Sequence, residues 1–219
     1  MKLTIIGAGS SYTPEIIDGL LGQPCFGALE VALYDLPEGA ARARIICDMA
    51  LRMAKKRGAQ ATIEVVPQLD EALRGSDFVV SQFRVGLLAA RVLDERIPLK
   101  YDLIGQETTG AGGFFKAMRT IPATLALVRR MEAVCPDAWL INFTNPSGII
   151  AEAVHRYSSI KCVGLCNVPY NMQVDAARLL GADVDRVYCR MAGLNHLSLV
   201  TQVYLDGKPV LPQMIAKKM

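Results

Sequence analysis

Short apolar runs alternate with longer segments of helical character along most of the chain. The apolar runs are Leu3 to Ile6, Val31 to Tyr34, Ile63 to Val66, Phe78 to Ser81, Trp139 to Phe143 and Cys162 to Leu165. The helical segments are Pro14 to Leu21, Glu38 to Lys56, Leu87 to Arg96, Lys116 to Ala133, Ser147 to Tyr157 and Met172 to Leu180. Continuous apolar runs are typical of strands covered on both faces. The alternation therefore predicts an α/β fold with a doubly wound, Rossmann-like parallel sheet.

The pattern changes after Ala192. Residues 196–204 alternate between polar and apolar side chains, and Asp206-Gly207 supplies a hairpin turn signal before a short further strand. This pattern predicts the start of a second, α+β domain, with a single hairpin that is too small to form a core of its own. The predicted domains cover residues 1–170 and 171–219.

Composition excludes several classes of function. The 24 basic residues nearly balance the 21 acidic ones and form no basic run, so we expect no nucleic-acid partner. No stretch approaches the roughly 18 apolar residues of a membrane-spanning helix, and the start of the chain lacks a signal peptide. The six cysteines form no CxxC pair. These features predict reduced thiols and a cytoplasmic location.

A glycine-rich turn follows the first predicted strand and leads into a helix. Gly7 and Gly9 would allow a pyrophosphate to approach the backbone, and Ser10 and Ser11 complete the turn. Asp35, at the end of the second strand, could accept hydrogen bonds from both ribose hydroxyls and would repel a 2′-phosphate. The pattern favours NAD over NADP. The alternative is a simple tight turn, with Asp35 capping the next helix.

A polar, glycine-rich stretch after the fourth strand, residues 82–120, would lie at the carboxyl edge of the sheet, where ligands bind in open α/β folds. Its basic residues suit an anionic substrate such as a sugar phosphate. They are Arg84, Arg91, Arg96, Lys100, Lys116 and Arg119. The alternative is that most are solvated helix charges balanced by Asp94, Glu95 and Asp102. That alternative is stronger for Arg96 and Lys100 than for Arg91.

Two turns that link a strand to a helix carry polar side chains towards the predicted rim of the sheet: residues 142–148 and residues 166–169. Cys166 and His196 could together bind a divalent metal, and ligand softness alone would favour zinc over manganese. The alternative is a buried free thiol and a hydrogen-bonded imidazole. The second histidine, His155, lies within a predicted helix beside Arg156 and is most simply a surface or packing residue.

Six of these segments, in this order, resemble the motifs of the family 4 glycoside hydrolases. They are Gly7 to Pro14, Arg84 to Gly86, Ile104 to Gly110, Asn142 to Ser147, Cys166 to Pro169 and Gly193 to His196. The resemblance covers almost the whole chain. Within the family, Cys-Asn-Val-Pro is similar to the form found in enzymes that act on 6-phosphorylated β-glucosides, whereas α-specific members carry an acidic or histidine residue in place of Asn167.

The resemblance implies hydrolysis by elimination and addition, which departs from the usual mechanism with two carboxylates. A hydride passes from C3 of the sugar to NAD, a base takes the proton at C2, and the aglycone leaves from C1. Water then adds and the hydride returns. The resemblance also implies that Cys166 and His196 bind manganese or another divalent metal. The substrate contacts that it implies are Arg91, Glu107, Asn145 and Asn167.

One departure from the family concerns the base. The family's tyrosine base is expected beyond residue 219, and Tyr204 does not match it. We therefore expect a fragment that binds NAD, has little activity, and belongs to a homo-oligomer at full length. Two other functions stay open on the sequence. One is an NAD-dependent 2-hydroxy acid dehydrogenase of the lactate or malate type with His196 as its acid and base, and the other is a noncatalytic NAD-binding module.

Overall fold

The parallel sheet predicted from the apolar runs is present in the computed structural model, which describes residues 1–216. Its six strands are β1 (Lys2–Ile6), β2 (Leu29–Tyr34), β3 (Ala61–Val65), β4 (Phe78–Ser81), β5 (Trp139–Asn142) and β6 (Lys161–Gly164). All pairs are parallel, and the order across the sheet is β3-β2-β1-β4-β5-β6. The order reverses between β1 and β4. Ligands of doubly wound folds bind beyond the carboxyl ends of the strands at such a reversal.

Six α-helices accompany this sheet. They are α1 (Thr13–Leu21), α2 (Ala40–Arg57), α3 (Leu69–Leu73), α4 (Leu87–Leu99), α5 (Gly110–Val134) and α6 (Ser147–Tyr157). Helices α1 and α2 pack on one face of the sheet, where Ile5, Ile17 and Ala50 are fully buried. Helices α3, α5 and α6 pack on the other face around Leu140 and its neighbours. Successive strand residues thus enter two different cores, which confirms the doubly wound prediction.

The start of α5 differs from the sequence prediction. We expected the helix to begin at Lys116, because the glycines before it suggested a loop, but it begins at Gly110. Gly112 and Gly113 lie inside the helix and are buried, and a Cβ atom on Gly112 would come within 2.2 Å of the Gln106 carbonyl oxygen. The glycines therefore serve close backbone packing rather than a flexible loop.

The remaining elements belong to a second compact unit that begins at Leu165. They are α7 (Asn167–Leu180), β7 (Val187–Leu194), β8 (Leu197–Leu205), β9 (Lys208–Pro209) and α8 (Leu211–Ala216). The three strands form an antiparallel sheet in the order β7-β8-β9. The prediction of a second α+β region is confirmed. Contacts divide the chain between Gly164 and Leu165, whereas the predicted domain boundary at residue 170 stays a prediction, and residues 217–219 lie outside the described part.

The expectation that this region holds one hairpin without a core was wrong. Strand β7 begins at Val187, ahead of the change in pattern at Ala192, and its buried residues Val187 and Cys189 alternate with exposed ones. These two residues pack with Val203, Met214 and a face of α7 in a separate apolar cluster. The cluster forms because the helix supplies the second layer that a lone hairpin would lack.

Within residues 1–216, none of the helices combines the length and the apolar character needed to cross a membrane.

Candidate active site

The glycine turn after β1 is held by the neighbouring strand. The backbone N–H groups of Gly7 and Ala8 both donate to the Tyr34 carbonyl oxygen, at 3.0 Å each. Gly7 has a φ of +83°, and a Cβ atom there would lie 3.2 Å from the backbone of Phe83. Both constraints require glycine at this position. The turn leaves Ser10 partly buried and Ser11 exposed at the start of α1.

The Asp35 carboxylate closes this turn from the end of β2. Its Oδ2 accepts from the Gly9 N–H at 2.6 Å, and its Oδ1 accepts from the Leu36 N–H at 2.7 Å. A Cβ atom on Gly39 would come within 2.3 Å of the carboxylate. The alternative role for Asp35, capping α2, was wrong, because Gly39 occupies the cap position without a side-chain cap bond.

The turn and Asp35 together fit a dinucleotide. A carboxylate has about four acceptor sites, so two backbone bonds leave room for hydroxyl donors. The glycines let Asp35 and Phe83 approach the turn closely, and α1 begins immediately after the turn with Thr13 and Pro14 in its first turn. This is the arrangement in which a helix N-terminus meets a phosphate. Gly7, Gly9, Ser10, Ser11 and Asp35 thus surround one concave turn.

A cluster of charges surrounds Glu107 in the long segment after β4. Lys116 from α5 and Arg84 from the turn after β4 both donate to Glu107 Oε1. Arg91 from α4 places its Nη1 atom 3.3 Å from Glu107 Oε2 and donates from Nε to Glu95 at 2.7 Å. The Glu107 side chain is 11% exposed, so three cations converge on a carboxylate with little access to water.

The charges around Glu107 change its ionisation. Burial raises the pKa of Glu107, but the hydrogen bond and charge of Lys116 and the charges of Arg84 and Arg91 outweigh burial and hold this pKa below its usual value. Burial lowers the pKa of Lys116, and Glu107 offsets this effect only in part. Glu107 is therefore an anion at neutral pH, poised to accept hydrogen bonds and not to donate them.

Close packing fixes the segment that carries Glu107. A Cβ atom on Gly105 would come within 2.0 Å of the Glu95 carbonyl oxygen, and one on Gly113 would come within 2.5 Å of Thr108. The segment therefore packs closely against α4 and against the start of α5. These contacts fix the direction in which the Glu107 side chain leaves the backbone.

The remaining basic residues of this segment divide as the sequence suggested. Arg119 binds the buried Asp94 through two bonds of 2.8 and 2.5 Å, which joins α5 to α4. Arg96 and Lys100 are exposed, as expected for solvated helix charges. Arg84, Arg91 and Lys116 alone among the six face Glu107.

The polar turn after β5 is largely internal. Asn142 is fully buried, accepts from Ser81 Oγ at 2.8 Å and donates to the Thr144 carbonyl oxygen at 3.0 Å. These bonds tie the ends of β4 and β5 together. Asn145 is partly buried and is followed by a cis peptide bond to Pro146. Asn142 thus has a structural role, and Asn145 is the amide of this turn that stays accessible.

In the second unit, two residues separated by 30 positions meet. Cys166 precedes the first turn of α7, and His196 lies in the tight turn between β7 and β8 with a φ of +58°. The Cys166 Sγ and His196 Nε2 atoms are 3.4 Å apart. A thiolate and an imidazole on one tetrahedral metal ion lie about 3.6 Å apart, from bonds of roughly 2.3 and 2.1 Å. The pair fits a shared divalent ion.

A cavity of about 300 Å³ lies beside this pair, lined by Val168, Pro169, Asn195, His196 and Ser198 among others. The Asn195 Oδ1 atom is buried and has no hydrogen-bond partner within the described chain. No group of three or more His, Cys, Asp and Glu side chains suited to a metal occurs among residues 1–216. Asn167 is exposed in the first turn of α7, and His155 is an exposed residue of α6, as predicted.

The sequence did not reveal the pairing of Lys116 with Glu107. A signal was present, because Lys116 falls on the same helical face as Gly112, Gly113, Thr120 and Thr124, all buried. A lysine on a buried helical face needs a charged partner. Which carboxylate that partner is depends on the path of the chain between α4 and α5.

Comparison with known proteins connects these features. A probable 6-phospho-beta-glucosidase of Bacillus subtilis is 48% identical over 98% of this chain and 49% of its own length. The structure of the 6-phospho-beta glucosidase from Thermotoga maritima with manganese, NAD+ and glucose-6-phosphate superposes with a TM-score of 0.90 at 39% identity, covering 100% of this chain and 53% of that one.

A 6-phospho-alpha-glucosidase from gut microorganisms, solved in complex with NAD and Mn2+, has a TM-score of 0.88 at 29% identity and covers 97% of this chain and 49% of that one. The chain spans about half the length of the curated relatives that it matches. The sequence profile of the family 4 glycosyl hydrolases matches residues 2–182. The chain therefore belongs to family 4 of the glycosyl hydrolases.

Proposed function

We propose that this chain is the NAD- and metal-binding half of an enzyme that hydrolyses 6-phospho-β-glucosides by elimination and addition. The meeting of Cys166 Sγ and His196 Nε2 at 3.4 Å carries the proposal. A thiol and an imidazole at this separation can bind one divalent ion, and a bound ion can stabilise the negative charge that the elimination step develops on the sugar. The Thermotoga maritima relative was solved with manganese, NAD+ and glucose-6-phosphate.

The nucleotide would occupy the turn formed by Gly7, Gly9, Ser10 and Ser11, with its ribose hydroxyls donating to Asp35. The two backbone bonds to Asp35 support this role, because they orient the carboxylate before the ligand arrives. A 2′-phosphate would meet the charge of Asp35, so NAD is the expected cofactor. We expect Asp35→Ala to weaken NAD binding and to reduce the preference over NADP.

The substrate would be a phosphorylated β-glucoside held by Arg91, Glu107, Asn145 and Asn167. Glu107 accepts a hydrogen bond from a sugar hydroxyl through Oε2, since Oε1 is bound by Lys116 and Arg84. Arg91 faces anionic or hydroxyl oxygens of the substrate while it remains paired with Glu95. The amides of Asn145 and Asn167 can each donate and accept.

The chemistry divides between the bound groups and the protein. Bound NAD supplies a hydride acceptor for C3, and a bound divalent ion, manganese or another, supplies a Lewis acid that stabilises negative charge on the sugar oxygens. Cys166 and His196 would hold that ion, with sugar oxygens and water as the remaining ligands. Glu107 and Arg91 would bind and orient the sugar ring.

The base that takes the C2 proton is not assigned to this chain. Tyr204 lies on β8, where its ring stacks 6.0 Å from Tyr188 at a tilted angle, and the resemblance gives it no counterpart among the family's bases. We propose that a tyrosine beyond residue 219 supplies the base, that the chain alone binds NAD with little turnover, and that the full-length protein is a homo-oligomer.

The test is release of nitrophenol from p-nitrophenyl 6-phospho-β-glucoside, with NAD and manganese each added or withheld. It is run on the chain and on its coding sequence extended to the length of its relatives. The proposal expects release from the longer protein only, dependent on both additions, without accumulation of NADH. Cys166→Ser should abolish release, whereas Cys25→Ser, which changes an exposed thiol in the first unit, should not.

The other outcomes identify the competing functions. Stoichiometric NADH formation from a 2-hydroxy acid, without nitrophenol release, would establish the dehydrogenase. NAD binding with no turnover by either length of protein would establish a binding module. Nitrophenol release by the 219-residue chain alone would contradict the placement of the base outside it.

A further inference from the structure

Lys116 is the most deeply buried cation of the first unit's charge cluster. It is 2% exposed and lies on α5 between buried glycine, alanine and threonine residues. Removing an ammonium group from water is unfavourable unless the charge is paired, so a residue whose only task was packing would be apolar here. The Lys116 ammonium donates to Glu107 Oε1. Its burial therefore depends on Glu107.

The two carboxylate oxygens of Glu107 have different neighbours. Oε1 receives Lys116 from α5 and Arg84 from the turn after β4, while Oε2 faces Arg91 of α4 at 3.3 Å. Arg91 is in turn shared with Glu95. Lys116 thus holds Oε1 in place, and Oε2 keeps lone pairs for a ligand.

Lys116 differs from the two arginines in how it can move. Its side chain is 3% exposed, whereas the Arg84 and Arg91 side chains are 31% and 39% exposed. A substrate anion could draw the arginines away from Glu107 towards itself. The Lys116 ammonium is buried and bonded to Glu107, so its bond to Glu107 should persist when the site is occupied.

We propose that Lys116 is a positioning residue of the sugar-phosphate site, which holds the Glu107 carboxylate ionised and turned so that Oε2 receives a sugar hydroxyl. This role rests on the proposed function. It assigns Lys116 no contact with the substrate and no part in proton transfer.

The kinetic test uses the full-length enzyme with Lys116→Met, Lys116→Gln and Lys116→Arg. The Met and Gln variants should raise KM by about 10- to 100-fold with a smaller change in kcat, because a bond made in both the ground state and the transition state is weakened. The acid limb of kcat/KM should move to higher pH as the pKa of Glu107 rises. Lys116→Arg should restore most of both properties, since it retains the charge.

Arg130→Met is the matched control. Arg130 lies on the same helix and pairs with Asp70 at the surface, far from the rim. This variant should leave KM and the acid limb unchanged. Thermal melting with NAD present checks that each variant folds, and Lys116→Gln makes the comparison if Lys116→Met does not fold. Unchanged KM and acid limb in a folded Lys116→Gln enzyme would overturn the proposal.

A second measurement does not need activity. The 13C chemical shift of the Glu107 carboxyl carbon, followed against pH in the 219-residue chain, should show a higher pKa in Lys116→Gln than in the parent and no change in Arg130→Met. If this coupling is seen and no glycosidase activity exists, the proposed function fails while the linkage between Lys116 and Glu107 stands. If activity exists and the coupling is absent, the positioning role fails alone.

Discussion

The two compact units of the chain use opposite kinds of sheet. The central strands of the first unit are buried on both faces, and β1 carries four buried residues in succession, whereas the edge strands β3 and β6 keep exposed positions. Strands of the second unit alternate, so that β7 begins with buried and exposed residues in turn. Helices pack on both faces of the first sheet, whereas the second sheet packs one face against α7 and α8.

This difference is matched by the two candidate sites. In the Glu107 cluster of the first unit, each oxygen of the carboxylate faces at least one cation of the same unit. The Cys166 and His196 pair of the second unit has only two protein ligands in reach of one another and borders an open cavity. Buried surroundings can hold the charges around Glu107 in fixed positions, whereas the pair beside the cavity can bind an ion that enters from solution.

The largest contrast should appear when a carboxylate is neutralised in each unit. Glu107→Gln leaves three cations facing one another, and we expect it to lower the free energy of unfolding by about 3 to 5 kcal/mol. Asp206→Asn breaks an exposed pair with Arg186 in the second unit and should change nothing measurable. Urea unfolding at pH 7 measures both, and equal losses would contradict the contrast in burial.

The lowered pKa of Glu107 predicts how the free energy of unfolding depends on pH. The pKa of Glu107 is lowered in the folded protein, so its contribution is fully present above the usual carboxyl value of 4.5. It is lost as pH falls through the lower folded value. The wild-type protein should therefore lose stability below pH 4.5 more steeply than Glu107→Gln does in the same urea series.

The metal pair of the second unit offers the next largest effect. His196→Ala removes one of the two proposed ligands, and we expect manganese affinity to fall by more than about 100-fold, beyond the usual loss for residues that only support a ligand. His155→Ala, the change of an exposed histidine in α6, should leave affinity unchanged. Electron paramagnetic resonance of free manganese measures binding directly. Equal affinities for the two variants would remove His196 from the site.

The rate of alkylation should differ between buried and exposed cysteines. Burial raises the pKa of the Cys162 thiol in β6 to about 11 from an ordinary value of 9.0. Two pKa units reduce the reactive thiolate about 100-fold at pH 8. Iodoacetamide followed by mass spectrometry should therefore label the exposed Cys25 and the partly buried Cys166 long before Cys162. Labelling of Cys162 at the rate of Cys25 would contradict the burial of the Cys162 thiol.

The smallest contrast comes from one chemical change made in both cores. Val79 in β4 and Val203 in β8 are 0% and 2% exposed, but Val79 lies in a sheet with helices on both faces. We expect Val79→Ala to cost about 2 to 3 kcal/mol and Val203→Ala about 1 kcal/mol, because the thinner layer around Val203 can relax into the cavity. Urea unfolding monitored by far-UV circular dichroism distinguishes the two.

Some features follow from local sequence alone. Strand β4 and helix α6 have the bounds that the apolar pattern predicted, since each is a short run whose period and flanking residues suit one structure. The glycine turn, the position of Asp35 after β2 and the order of the family motifs are equally local. Parallel strands end at one edge of a sheet, so this pattern also predicted where polar turns would gather.

Other features were decided by tertiary structure. Whether Gly112 and Gly113 form a loop or a helix depends on the close approach of α4, because a Cβ atom on Gly112 would lie 2.6 Å from the carbonyl oxygen of Asp94, which is distant in sequence. The core of the second unit depends on α7 packing against β7, a strand too weakly apolar to be recognised alone.

The candidate sites divide in the same way. The sequence supplied Cys166, His196, Arg91 and Glu107 as residues of suitable chemistry. The fold decided that the first two lie 3.4 Å apart and that Lys116 stands behind Glu107. Local pattern records the burial and backbone geometry of each residue in turn. The pairing of charges and ligands depends on distances between residues far apart in the chain, and only the packed elements set those distances.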